Sequence, residues 1–400
     1  MSALQTHTLQ TLPFDAARLD RLLEDAGVDV LLVTSKHNVQ YLLGGYRFFF
    51  FDYMDAIAQS RYLPILVYQK GRPENSAYFG AALETFEKLL GKFWPPVVQT
   101  STWSSIDGVK LAVEHIKKIN GAAGAIAVEK SFMPMDGAQL LEGQLSGYLI
   151  SDATFALERL RLVKTPEELE LLRESSERVV RSMAAAFKHC APGMTKNEVV
   201  TRLRREEVAR DLTFEYCLIT AGRDLNRAPS DQKLQAGDII SLDSGGNYHG
   251  YIGDLCRMAI LGEPDPELED LLGVIRHVQS EARKPIKAGA RGGDIFVVAN
   301  EILSRSPHNP YVEFLAHGMG LVSHEGPRLT STGIVPYHGY DEDRALEAGM
   351  VVSIETTMKH PSRGFIKLED TVAVTTSGCQ GFGDDYRGWN RAGTAGEKRT

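Results

Sequence analysis

Two stretches of this chain repeat one another. Leu234-Gln-Ala-Gly-Asp-Ile-Ile-Ser-Leu-Asp243 matches Leu346-Glu-Ala-Gly-Met-Val-Val-Ser-Ile-Glu355 position by position, each a turn followed by an apolar strand that ends in a carboxylate. A second pair follows, Gly250-Tyr-Ile-Gly-Asp254 and Gly364-Phe-Ile-Lys-Leu-Glu369. The chain is therefore expected to carry two similar hairpins, each presenting two acids. One acid on a strand means little, because exposed strands commonly carry charge. Four in a repeated apolar pattern mean more, since buried carboxylates cluster only where something cationic neutralises them. No arginine cluster lies close in sequence, so metal ions are expected.

His317, in Phe314-Leu-Ala-His-Gly-Met-Gly320, supplies a neutral ligand, and its glycines permit close backbone approach. One imidazole among four carboxylates favours manganese, cobalt, iron or zinc over calcium. Two bridging carboxylates would hold two divalent ions close enough to share a hydroxide.

At 400 residues the chain exceeds one ordinary core, so two domains are expected. A formal net charge of -8 argues against a nucleic-acid partner, which needs clustered Lys and Arg. The first residues have no basic end or apolar run, and no stretch is long enough to span a membrane, which points to a cytoplasmic protein. Cys190, Cys217, Cys256 and Cys379 are far apart and suit reduced thiols.

The first third alternates in α/β fashion: an amphipathic stretch from Ala16 to Glu24, a strand from Val28 to Val33, and a turn at Ser35-Lys-His-Asn38. Further strands are predicted at Tyr62 to Val67 and Ala125 to Val128, with a helix over Val109 to Ile119. A first domain over 1–155 follows. Thr165, Pro166 and Glu168 then form a helix start with a capping box, the helix running to about Lys188. Ala191-Pro-Gly193 stops it, and Thr195 with Glu198 opens the next. The second domain is placed at 160–385, with a loosely ordered tail over 386–400 in which Trp389 is able to dock. Gly45-Tyr-Arg-Phe-Phe-Phe-Phe-Asp-Tyr-Met54 reads either as a buried strand or as a loop at a dimer interface, walling the partner's active site.

These residues resemble the creatinase and proline-peptidase superfamily, family M24, with the pita-bread fold. The resemblance rests on Asp243 to Asp254, His317-Gly-Met-Gly320, His324-Glu-Gly-Pro327, Ser353-Ile-Glu355 and Lys367-Leu-Glu369. Ser35-Lys-His-Asn38 to Gly44 and the join Leu160 to Glu168 are similar to that superfamily's N-terminal domain and to the start of its catalytic domain. The resemblance implies a two-domain α/β chain: a creatinase-like N-terminal domain, then a pita-bread α+β catalytic domain with pseudo-twofold symmetry. It implies two divalent ions, manganese first, with Asp243 chelating one, Asp254 and Glu369 bridging, and His317 and Glu355 holding the other.

The implied chemistry is an Xaa-Pro dipeptidase or aminopeptidase reaction, a bridging hydroxide attacking an amide carbonyl. Glu355 would shuttle the proton and His324 would steady the oxyanion. Arg61 matches a creatinase arginine that reaches a substrate carboxylate across a homodimer. Ser230 stands where the peptidases place a histidine near the scissile region, Thr356 replaces a proline, and Lys367 an arginine. Those departures admit a second reading, a hydrolase or lyase for a small non-peptide amide or zwitterion. A third is a non-catalytic pita-bread binding protein.

Overall fold

The computed structural model describes residues 12–52, 63–331 and 338–394. The chain divides into two compact units, Met1–Arg161 and Leu162–Thr400. In the first unit the helices are α1 (Ala16–Asp25), α2 (Lys36–Leu42), α3 (Thr85–Leu89), α4 (Ser105–Asn120), α5 (Met135–Gln144) and α6 (Thr154–Leu160). Its strands are β1 (Val30–Val33), β2 (Ile65–Gln69), β3 (Arg72–Ala81), β4 (Val97–Thr102), β5 (Gly124–Val128) and β6 (Tyr148–Asp152), in the order β4-β3-β2-β1-β5-β6. All four residues of β1 are buried because both faces are covered. Leu31 and Val33 pack with Leu19, Leu23 and Leu157 of α1 and α6, while Val30 and Leu32 pack with Val109 and Ile116 of α4.

Two expectations for this unit need correction. The segment from Ser35 to Asn38 is the start of α2 and not a turn, because the Ser35 hydroxyl accepts from the Asn38 amide at 3.1 Å and caps the helix. The aromatic segment is not a strand. Gly44 and Gly45, both at positive φ, bend the chain, and Phe49–Asp52 form a single 3-10 turn with Phe48 buried and Phe49 57% exposed. Residues 53–62, and with them Arg61, lie outside the described residues.

The second unit opens with α7 (Pro166–Phe187) and α8 (Lys196–Val208). Both capping boxes form as expected: Thr165 accepts from the Glu168 amide at 3.2 Å while Glu168 accepts from the Thr165 amide at 2.7 Å, and Thr195 with Glu198 repeats the arrangement. The strands are β7 (Thr213–Ala221), β8 (Ile239–Tyr248), β9 (Tyr251–Ile260), β10 (Val312–Gly318), β11 (Val351–His360), β12 (Gly364–Val374), β13 (Cys379–Phe382) and β14 (Asn390–Arg391), with helices α9 (Pro266–Arg283) and α10 (Asp294–Ser304). The main sheet runs β10-β11-β12-β9-β8-β7. The repeats are the hairpins β8-β9 and β11-β12, joined where Glu369 of β12 faces Cys256 of β9.

This is the pita-bread architecture. Helices α7 and α8 pack on the β7–β9 half, and α9 and α10 on the β10–β12 half. Ile240, Leu242, Leu255 and Ala259 are in the first core; Val352, Ile354, Ile366 and Leu368 are in the second. Because strand side chains alternate between faces, the acids between these residues point the other way. Residues 386–394 correct the expectation of a loose tail. The Trp389 indole donates to the Leu268 carbonyl at 3.1 Å, Arg387 pairs with buried Asp370, and β14 adds to β9. The docking of Trp389 that the sequence allowed is present, on a partner 121 residues away. Among the described residues no helix is long and apolar enough to cross a membrane, and all four cysteines are free.

Candidate metal centre

Five neighbouring strands each contribute one ligand-type side chain: His317 from β10, Glu355 from β11, Glu369 from β12, Asp254 from β9 and Asp243 from β8. The register explains why they meet. Asp243 faces Cys256, Cys256 faces Glu369, and Glu369 faces Glu355, so one row crosses the sheet with its side chains on one face. Asp254 lies two residues from Cys256 and His317 two from Leu315, the partner of Glu355, so both join that face. Three overlapping groups result: Asp243 with Asp254 and Glu369, His317 with Glu355 and Glu369, and Asp254 with His317 and His324. Glu369 is common to the first two.

The strand carrying His317 is held by close backbone approach. A Cβ on Gly318 would lie 2.2 Å from backbone atoms of Gly326 and Pro327, so only glycine fits there. The segment that returns from it carries His324, whose ring stacks on His317 at 3.8 Å and 10°. Next to it, Glu325 is buried against Lys164 at 3.1 Å, an ion pair between two side chains withdrawn from water that ties this segment to the start of the unit.

The charge environment differs from the sequence expectation in one respect. Cations do reach the cluster. The Lys367 ammonium lies 2.6 Å from Asp243 Oδ2 and 2.8 Å from Glu369 Oε2, and also contacts Glu355 Oε2. Arg227 pairs with Asp243 and stands over the Phe365 ring. The sequence pattern marks Lys367 only as a replacement for an arginine and makes no use of its charge, although Lys367 sits two residues before Glu369, the spacing that puts two side chains on one strand face. Arg227 had no such signal, because the fold and not the local sequence brings its loop to Asp243.

Burial, with Glu369 and Asp243 nearby, pushes the Asp254 carboxyl well above the usual carboxylate range, and burial raises Asp243 against the opposing pull of Lys367. Burial works against ionisation at Glu355 and Glu369 too, yet Lys367 and His317 hold both below that range. The His317 ring is held well above its ordinary value by Glu355 and Glu369 despite burial. Burial and the adjacent His317 bring His324 down to about 4.

The donors fit a metal. Asp254 Oδ1 and His317 Nε2 are buried and have no hydrogen-bond partner among the described residues, while His317 Nε2 lies 3.5 Å from Glu355 Oε1 and 3.6 Å from Glu369 Oε1. A buried polar atom left unsatisfied is costly, and a cation among these atoms would satisfy it. One imidazole with carboxylates is a borderline donor set suited to first-row divalent ions.

The centre opens on a cavity of about 650 Å³ lined by Tyr216, Arg227, Phe314, His324, Lys359 and Phe365 beside the acids. Ser230 does not line it: its hydroxyl accepts from the Gln232 amide and its carbonyl from Asn197. Arg227, from the same loop, lines the cavity instead. Thr356 is buried on the opposite face of β11 and meets Gln279 at 3.3 Å.

Residues 170–376 match metallopeptidase family M24 and residues 16–163 the creatinase/prolidase N-terminal domain. The Xaa-Pro dipeptidase of Pyrococcus furiosus is 28% identical over 55% of this chain, which spans 63% of that relative's length. The probable dipeptidase PepE of Mycobacterium tuberculosis is 30% identical over 65% of this chain and 68% of its own. The crystal structure of dipeptidase PepE from Mycobacterium ulcerans superposes with a TM-score of 0.74 at 26% identity, covering 94% of this chain and 96% of that one. With both domains matched in order and the five ligand-type side chains gathered on one sheet face, this chain belongs to metallopeptidase family M24.

Proposed function

We propose that this chain is a metal-dependent hydrolase of the Xaa-Pro dipeptidase or aminopeptidase kind, cleaving the amide bond of a small peptide. The observation that carries the reading is the set of five ligand-type side chains on one sheet face, whose four acids line a cavity together with His324. In this reading His317 and Glu355 would hold one divalent ion and Asp243 another, with Asp254 and Glu369 shared between them, and manganese would come first with cobalt, zinc or iron as the others. A divalent ion held there supplies Lewis acidity and makes water acidic enough to act as a nucleophile near neutral pH.

The side chains do the rest. Glu355, kept ionised by Lys367 and His317, accepts the proton that water loses and returns it to the leaving nitrogen. His324, neutral at physiological pH, offers a ring N–H to the oxygen on which negative charge develops. The same reading carries a cytoplasmic homodimer in which Arg61 of one protomer reaches the substrate of the other.

A second reading, a small non-peptide amide or zwitterion as substrate, is favoured by one observation. Ser230 is turned away from the cavity, while Arg227 and Lys359 bring positive charge and Glu313 negative charge to its wall. Purified protein loaded with manganese and offered a panel of Xaa-Pro dipeptides separates the two. Turnover of at least one dipeptide is expected; metal bound with none turned over contradicts the peptidase reading and leaves the second.

A further inference from the structure

We infer that the buried ion pair of Lys164 and Glu325 is a positioning device for His324, holding the segment that carries the ring so that its N–H meets the oxygen on which charge develops. The inference rests on the hydrolase reading above and deepens it. A buried ion pair is a poor source of stability, because taking two charges out of water can cost more than their attraction returns, so its presence calls for another reason. The side chains of Lys164 and Glu325 are 1% and 2% exposed, with Lys164 Nζ 3.1 Å from Glu325 Oε1. The chemistry described above uses neither.

Where the pair sits supplies the reason. After His317 the chain leaves β10 through Gly318, Met319 and Gly320 and returns at His324 and Glu325. The two ends of this turn are fixed by backbone: the Glu325 amide donates to the Gly318 carbonyl at 3.0 Å, and the Gly318 amide to the Pro327 carbonyl at 3.1 Å. Its first part is held between two strands of the site. The Met319 amide donates to the Val351 carbonyl of β11 at 3.1 Å, and the Ile252 amide of β9, two residues before Asp254, donates to the Gly320 carbonyl at 3.0 Å.

The ion pair presses on that same point. A Cβ on Gly320 would lie 2.3 Å from Glu325 Oε1 and 3.0 Å from Lys164 Cε, so carboxylate and lysine stem both lie against the Gly320 backbone. Lys164 is itself fixed, its amide donating to the Gly349 carbonyl at 3.0 Å in the turn before β11. Next along the chain from this anchored carboxylate is His324, which lines the cavity and stacks on His317 at 3.8 Å. A donor to an oxyanion acts over a range of only a few tenths of an ångström, and a misplacement of about 1 Å can cost about a hundredfold in rate. A neutral pair would fill the space without the ionic hold.

The test uses the full chain loaded with manganese and an Xaa-Pro dipeptide that the wild type turns over. Lys164→Met removes one charge, and Glu325→Asp keeps both but withdraws the carboxylate by one methylene. Each is expected to keep its manganese and to lose about tenfold to a hundredfold in kcat, with KM within about threefold of wild type. Two inhibitors separate positioning from general damage. A phosphinic dipeptide, whose tetrahedral oxygens stand where the oxyanion forms, is expected to lose affinity in proportion to kcat; a reduced-amide dipeptide, with a methylene in place of that carbonyl, is expected to keep its affinity. The double variant Lys164→Met/Glu325→Gln is expected to regain the melting temperature lost by Lys164→Met, because neutral groups can replace a buried pair at little cost to stability, but not the lost kcat.

Folded variants with wild-type kcat, equal losses for both inhibitors, or a double variant that regains turnover along with stability overturn the proposal and leave the hydrolase reading standing. Failure of every variant to fold overturns it as well, since the pair then serves the fold and not His324. A wild type that turns over no dipeptide overturns the peptidase reading and this proposal with it.

Discussion

The hairpins β8-β9 and β11-β12 are alike in sequence and unlike in electrostatics. Each presents two acids on the same face of the sheet, and of these four, three are buried and Glu355 partly so. In the first, Asp243 and Asp254 are raised above the carboxylate range by burial; in the second, Glu355 and Glu369 are held below it by Lys367 and His317. A repeat fixes where backbone and side chains go. What each acid experiences depends on its neighbours, and these differ: Lys367 of β12 itself and His317 from β10 on one side, Arg227 and Tyr216 from β7 and its following loop on the other. The second hairpin is therefore read as the working half, and the first as the supporting half.

The most damaging test removes Glu369, which links Asp243 and Asp254 to His317 and Glu355. Glu369→Gln is expected to lose the bound metal and reduce turnover on the order of a thousandfold or more, measured by elemental analysis and steady-state kinetics together. A variant that keeps its metal removes the shared role. Next, the same acid-to-amide change in each hairpin is expected to hurt unequally. Glu355→Gln loses both a ligand and the proton acceptor, about a thousandfold in kcat, whereas Asp243→Asn costs about tenfold to a hundredfold. Equal losses would erase the distinction between the halves.

A third test reads the first hairpin through stability. Glu207 on α8 is buried against Ser244, the neighbour of Asp243, and burial pushes its carboxyl up to about 8. The folded chain therefore holds a proton there that the unfolded chain has released above pH 4.5. Stability from this group is complete below that pH and is lost as pH rises through 8, with a slope up to about 1.4 kcal/mol per pH unit. Denaturant titration of wild type and Glu207→Gln across pH 5 to 9 is expected to show this fall in wild type and a flatter curve in the variant; parallel curves contradict the assignment. The smallest effect is at the helix start: Thr165→Ala removes an N-cap and is expected to cost about 1 kcal/mol by the same measurement, with turnover nearly unchanged because α7 packs behind the site.

The sequence made the ligands legible because a repeat is visible without a structure, and a period of two places both members of each pair on one face. It made α7 and α8 legible through side chains that cap their own helices. What stayed hidden needed partners far along the chain. Strand β7 has exposed positions along its first half and no repeat to flag it. Trp389 reads from the sequence as able to dock, but its partner Leu268 lies more than a hundred residues away and carries no signal. Ser230 was assigned to the substrate shell by alignment with a motif, but the loop presents Arg227 to the cavity instead, three residues earlier. Lys367 alone was within reach, since it stands two residues from a ligand.

Five side chains from five adjacent strands are proposed to form one metal centre. Anomalous diffraction at the manganese absorption edge, from crystals of the full chain grown with Mn(II), tests it most directly. A peak is expected within about 2.5 Å of His317 Nε2 and of oxygens from Glu355 and Glu369, as inner-sphere contacts require. A peak elsewhere, or none at this site while the protein is saturated with manganese in solution, contradicts it.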